Sequence, residues 1–348
     1  MADSPAAPSI PRASRRRAAA VLPLLALAAL ADALAPAAAT AALNCPEDAP
    51  CPPPAQSIWA PYPFYNDNVD YAVGVVYAAA GVLQPQFGFV ANAFASSNGT
   101  YAGFLLARDY QLGSDSRFFA DLSLLGGEFG KIRSFQQGNP DYPDEIAGSN
   151  DSSESNYLEA EGNDLFIRVP LRYVLPIGAA RDEVIHTYRT RGGLLLPETG
   201  TGGESWNPFA GGRTMLEVTP FHREQDLELE IGGERELSST GVTARLDYDN
   251  TDWFNNPTSG SRTQFAITRD WSGDEPGNAP WTQVEAQYSK YWPLGPNQRA
   301  QQRVIAFDTS TEGKQNPAMA AYLAGLYRAG GFAADDVRVL PTGETAGL

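Results

Sequence analysis

The chain carries little of what enzymes use. Its 348 residues include two histidines and two cysteines. His186 and His222 each stand without a second His or Cys at ligand spacing, so both read as surface or interior histidines rather than metal ligands or general bases. There is no Gly-x-Ser-x-Gly elbow and no glycine-rich phosphate loop followed by Lys. The sequence therefore proposes no catalytic, cofactor-binding or metal-binding residues. Nor does it contain an uninterrupted apolar run of about 18 to 20 residues, which excludes a helical membrane span. Positive charge is also scarce, with 25 Lys and Arg against 41 Asp and Glu and a net charge of −16. A general nucleic-acid binder needs a basic surface to displace phosphate counterions, so nucleic acid is excluded as a partner.

What the sequence does contain begins with an export signal. Arg12, Arg15, Arg16 and Arg17 precede an apolar run from Ala18 to Ala31, closed by Asp32 and Pro36 and followed by Ala37 to Ala42. A basic region, a short apolar region and small-residue cleavage options are the parts of a secretory signal peptide, expected here over residues 1–42. Asn44 stands where a lipoprotein signal needs a small residue, so Cys45 does not read as a lipid acceptor. In an oxidising periplasm Cys45 and Cys51 suit a small disulfide loop within a Pro-rich segment, 43–69.

From about Tyr71 the hydrophobic period is two. Val242, Ala244, Leu246 and Tyr248 alternate with Thr243, Arg245, Asp247 and Asp249, and Val284, Ala286 and Tyr288 alternate with Glu285, Gln287 and Ser289. Successive strand side chains point to opposite faces, so each segment has one apolar and one polar wall. The pattern predicts strands near 70–80, 86–96, 100–110, 117–127, 164–173, 213–222, 226–237, 241–250, 261–271 and 282–291, with another from 302. Asn98-Gly99 reads as a two-residue type I′ hairpin turn. Many segments have the 9 to 11 residues of a tilted strand crossing a bilayer. The aromatics Trp253, Phe254, Trp271, Trp281, Tyr291 and Trp292 gather at strand ends, as at a membrane interface. The fold expected is all-β, an antiparallel transmembrane barrel over residues 70–308. The acidic stretch 139–164 reads as a solvated loop, and Asp247, Asp249 and Asp252 as lumen and turn residues.

The segment Leu246-Asp247-Tyr248-Asp249-Asn250-Thr251-Asp252, the turn Asn255-Asn256-Pro257-Thr258-Ser259-Gly260 and the strand Arg262–Trp271 resemble the barrel of the BamA/TamA-type outer-membrane assembly family, the bacterial surface antigen group. Gly203-Glu204-Ser205-Trp206-Asn207-Pro208 and Leu171-Arg172-Tyr173-Val174-Leu175-Pro176 resemble it too. The resemblance implies a bacterial outer-membrane location, a role in inserting or exporting outer-membrane proteins, and contact with membrane lipid, lipopolysaccharide and other outer-membrane proteins. It implies no cofactor. The chain departs from the family in lacking its periplasmic repeats and its Val-Arg-Gly loop motif, and in showing about ten to eleven of that barrel's sixteen strands. A structural or pore-forming barrel without assembly activity is the alternative. Residues 309–348 read as a short α/β tail in which Met319, Tyr322, Leu323, Leu326 and Tyr327 recur at helical spacing. This tail resembles the opening of aminoacylase- and carboxypeptidase-type zinc metallopeptidases, without any of their metal ligands. It reads as a foreign fragment joined near 308–315, and a secreted zinc peptidase is the weakest of the three functional readings.

Overall fold

The computed structural model describes residues 41–309 apart from 67, 135–138, 148, 150, 273–279 and 296–297, together with 338–339 and 345–347, and beyond Pro293 it describes backbone alone. The signal peptide expected over 1–42 and the helix expected over 316–328 thus fall, but for Ala41 and Ala42, outside the described residues.

Among the described residues, seventeen strands run in chain order. They are β1 (Ala42–Pro46), β2 (Gln56–Asn66), β3 (Asp70–Ala80), β4 (Gly88–Ser96), β5 (Tyr101–Gln111), β6 (Phe118–Ser134), β7 (Leu158–Arg168), β8 (Leu171–Val174), β9 (His186–Arg191), β10 (Leu194–Leu195), β11 (Arg213–Leu229), β12 (Gly233–Thr251), β13 (Gly260–Asp270), β14 (Thr282–Gly295), β15 (Gln298–Thr309), β16 (Arg338–Val339) and β17 (Thr345–Gly347). All but β1, β9 and β10 belong to one 14-stranded antiparallel sheet, ordered β16-β17-β15-β14-β13-β12-β11-β7-β6-β5-β4-β3-β2, with β8 bridging β11 and β6. The all-β class is as expected. Among the described residues the sheet stays open, its last strands being β2 and β16.

The sheet departs from the predicted strands where proline sits. Pro61 and Pro63 argue against a strand, yet β2 runs through both. Lacking N–H groups, they are tolerated because β2 is an edge strand, paired with β3 alone among the described residues, and both have the same parity. Inside the sheet, Pro170 divides the predicted strand 164–173 into β7 and β8, at a break that faces Thr219 and Pro220 on β11. The gap is bridged by Val169 N–H donating to the Pro220 carbonyl at 3.1 Å and Asp121 N–H donating to the Pro170 carbonyl at 2.9 Å. The predicted strands 213–222, 226–237 and 241–250 are instead two long strands, β11 and β12, paired in continuous register from Arg213↔Asp249 to Leu229↔Gly233. The Asn98-Gly99 turn is also longer than expected. Gly99 alone has positive φ, at 88°, and Ser96 N–H donates to the Thr100 carbonyl at 2.8 Å, so the loop is of the three-residue kind with a left-handed glycine.

The polarity of much of the sheet is inverted relative to a water-soluble protein, whereas at the far end of the β11–β12 hairpin it is ordinary, with Leu227, Leu229 and Leu237 buried and Asp226 and Glu228 exposed. Along β11, Leu216 and Val218 are exposed, Glu217 between them is half-buried, and Thr219 and Arg223 beyond them are buried. On β13, Phe265 and Ile267 are exposed and Thr268 and Asp270 are buried. Tyr71, Val73, Val75 and Tyr77 form one exposed face of β3. Aromatic pairs mark both ends of that face, with Tyr65 and Tyr71 centroids 5.0 Å apart at one end and Tyr77 and Phe89 centroids 5.6 Å apart at the other. Six residues separate Trp59 from Tyr65, about 20 Å along the strand. Trp281 is the exception among the aromatics expected at an interface. It is fully buried and stacks on Phe221 with centroids 6.2 Å apart. Phe221 lies on β11 and Trp281 just before β14, so the sheet curls tightly around its polar face.

Candidate functional site: the buried polar face and its cap

The side chains that strand alternation sends to the buried face are cross-linked by ion pairs. Arg245 and Glu217 are direct cross-strand partners on β12 and β11, 3.1 Å apart. Arg223 Nη2 reaches Asp164 Oδ2 at 2.7 Å, and Gln225 donates to the same oxygen at 2.9 Å. Arg262 donates to both carboxylate oxygens of Asp247, its Nε to Oδ1 at 3.0 Å, and Gln264 adds a bond of 2.9 Å. Thr243 and Thr268 share a hydroxyl bond of 2.9 Å. Asp247 and Asp249 lie on this buried face and Asp252 in a turn. Asp164, read from the sequence as part of a solvated acidic loop, is instead a buried strand residue of β7.

The most deeply buried of these groups is Arg172 on β8. Its Nη2 donates to Asp109 Oδ1 at 2.8 Å and to Asp121 Oδ1 at 2.7 Å, with the Arg172 and Asp109 side chains each 3% exposed. Asp109 occupies a bulge in the β5–β6 ladder with a positive φ of 61°, which turns its carboxylate inward. The same Oδ1 accepts the Ala41 N–H at 2.9 Å.

Ala41 belongs to a small second sheet capping this end. β1 runs parallel to β9, and β10 returns antiparallel to β9. Arg213 fastens the cap, donating to the carbonyls of Ala41 at 3.2 Å and Val184 at 2.6 Å. Ala41, Phe119, Val174, Ala180 and Met215 form the apolar cluster beneath. The expected Cys45–Cys51 disulfide is formed at the end of β1. Tyr188 on β9 bonds Thr201 at 2.9 Å, and burial pushes its phenol up to about 12. Nothing in the sequence announced this cap, because its parallel pairing joins residues 42–46 to 186–190.

The two histidines stay apart. His186 Nε2 lies 2.8 Å from the Thr199 carbonyl oxygen, and His222 Nδ1 lies 2.7 Å from Thr240 Oγ1. Glu224, Asp226 and Glu236 bring their carboxylates together near His222, at the far end of the β11–β12 hairpin, where side chains are solvated.

The resembling turn is built around one carboxylate. Asp252 Oδ1 accepts the N–H groups of Trp253, Thr258 and Ser259 at 2.9, 2.9 and 3.1 Å, and the Thr258 hydroxyl donates to Oδ2. Gly260 then re-enters the ladder with φ +96°, where a Cβ would run into the Asn250 carbonyl. Asp252→Ala is expected to cost about 2 kcal/mol through the lost charge-assisted bonds, and Gly260→Ala about 3 kcal/mol through backbone strain. Urea unfolding of both variants checks the order.

The acidic stretch after β6 also has local structure. Glu145 accepts the Ser153 N–H at 2.6 Å and the Ser153 hydroxyl at 2.8 Å. The backbone bond, then the hydroxyl bond, hold its pKa below the ordinary 4.5. A lowered folded pKa means that the contribution is fully present above 4.5 and is lost as pH falls through the folded value. Amide exchange at Ser153 should thus be protected at pH 7 and accelerate, relative to neighbouring amides, once the pH is taken below 4.

Comparison with family models, with curated proteins and with solved structures returned no match.

Proposed function

We propose that the sheet of this chain belongs to the wall of a bacterial outer-membrane β-barrel, with its exposed apolar face toward lipid and its ion-paired face toward the lumen. The inverted polarity carries this reading. In water, a face presenting Val73, Val75, Leu216, Val218, Leu246, Phe265 and Ile267 would be a large aggregation-prone patch. In hydrocarbon the same face is stabilising, and the sheet satisfies its backbone groups strand to strand. No described helix is long and apolar enough to cross a membrane, which says nothing of strands. The strands of 9 to 19 residues from β2 to β7 and β11 to β13 support a spanning role, as do the aromatic pairs at both ends of β3.

Within that reading, the role is to help insert or export other outer-membrane proteins. The support is the resemblance of residues 246–271 to the assembly family, together with the clamped Asp252 turn that gives this motif its shape. The alternative is a structural or pore-forming barrel, favoured by the cap of β1, β9 and β10 that Arg213 and Asp109 fasten over one end. Binding of urea-unfolded outer-membrane precursors to the chain in detergent separates the two. Saturable binding that folded precursors do not compete for supports the assembly role, whereas no binding leaves the passive barrel.

A further inference from the structure

In a protein of net charge −16, one interior cavity is lined by a surplus of arginine. It has a volume of about 170 Å³, and its wall includes Arg108, Arg168, Arg172, Arg245 and Arg262 against the carboxylates of Asp121, Glu217 and Asp247. Those carboxylates are already engaged. Asp121 accepts Arg172 and the Asp109 N–H, Glu217 accepts Arg245 and the Thr219 hydroxyl, and Asp247 accepts Arg262 and Gln264. Arg108 and Arg168, by contrast, have no ion-pair partner among the described residues.

Further donors of the lining arginines are unmatched. Arg172 is 3% exposed, and its Nε and Nη1 meet no acceptor among the described residues. The Nε of Arg168 is likewise buried without an acceptor. A buried guanidinium N–H left unpaired is costly, and a planar fork of donors matches the oxygens of a phosphate or a similar anion. The cavity holds the liquid volume of about six waters at roughly 30 Å³ each, which is room for one small tetrahedral oxyanion.

We propose that this cavity is a binding site for a phosphate-type oxyanion, held by Arg168 and Arg172 with Arg108 at its wall. The site depends on the strand register and not on what the outer face contacts, so it stands apart from the membrane reading. The anion has two possible sources, a free phosphate or the phosphomonoester headgroup of a lipid.

The test is calorimetric titration of the full chain in zwitterionic detergent with inorganic phosphate, against chloride at matched ionic strength. A second titration uses mixed micelles with and without phosphatidic acid. Saturable binding of inorganic phosphate is expected, weakened at least tenfold by Arg168→Gln and unchanged by Arg191→Gln, whose side chain pairs with Glu47 in the cap. Arg108→Gln provides the same reading should Arg168→Gln lose its native circular dichroism. Binding to phosphatidic acid micelles alone would assign the headgroup as the source and still support the site. No saturable binding in either titration, or binding that neither cavity variant weakens, would overturn it.

Discussion

Arg172→Leu is expected to leave the chain unable to complete its sheet, at a cost of about 3 to 5 kcal/mol. The cost comes from what the substitution leaves behind. Arg172 is the cation between Asp109 and Asp121, at 2.8 and 2.7 Å, in a place with almost no access to water. Without it, two carboxylates face each other across a bulge, with the N–H of Ala41 donating to Asp109 and that of Asp109 to Asp121. Domain stabilities are themselves only about 5 to 15 kcal/mol, so a loss of this size removes a large part of the total. The triple variant Arg172→Leu, Asp109→Asn, Asp121→Asn should recover much of it, since no buried charge is then left unpaired. Urea unfolding in detergent, followed by tryptophan fluorescence, checks both statements. An unchanged transition for the single variant would mean that the cluster is solvated.

The second large effect concerns the other face. Leu246 is paired across the sheet with Leu216 on β11 and Phe265 on β13, and all three are exposed. In a phospholipid bilayer, Leu246→Arg should cost about 2 to 4 kcal/mol, the penalty for a cation near the middle of the apolar band. Glu236→Arg, at the solvated end of the β11–β12 hairpin, should cost close to nothing. In water an exposed leucine is replaced by arginine at little cost. The difference between the two variants in bilayers therefore separates a lipid-facing wall from an ordinary exposed one.

Much of this architecture is legible in the sequence, because period-two alternation is a local property. Of the alternation read in β12, Ala244 and Leu246 are exposed and Thr243 and Asp247 buried, while Val242 and Arg245 are half-buried and Tyr248, read with the apolar set, is buried. Less legible is whatever depends on register or on distant pairing. Arg168, Arg172 and Arg245 share a parity with polar neighbours, but only the pairing of β7, β8, β11 and β12 shows that they meet around one cavity. Proline is misleading in both directions. Pro61 and Pro63 conceal β2, which tolerates them as an edge strand, while Pro170 breaks a run that reads as continuous. Trp281 resembles an interface residue because it stands at a strand end, and only the curl of the sheet carries it inside. The cap was hidden for a further reason, since β1 is short and its partner β9 is far away in the chain.

The most direct test of the central claim is the accessibility of single labelled positions along β11, with the chain reconstituted in phospholipid vesicles. Spin labels at Leu216, Val218 and Pro220, and at Glu217, Thr219 and Phe221, would be challenged with a lipid-soluble and a water-soluble relaxation agent. The account predicts a period of two, the even positions relaxed by the lipid-soluble agent and the odd positions shielded from it. Equal exposure of both sets to the water-soluble agent, or a chain that stays in the aqueous phase, would contradict it.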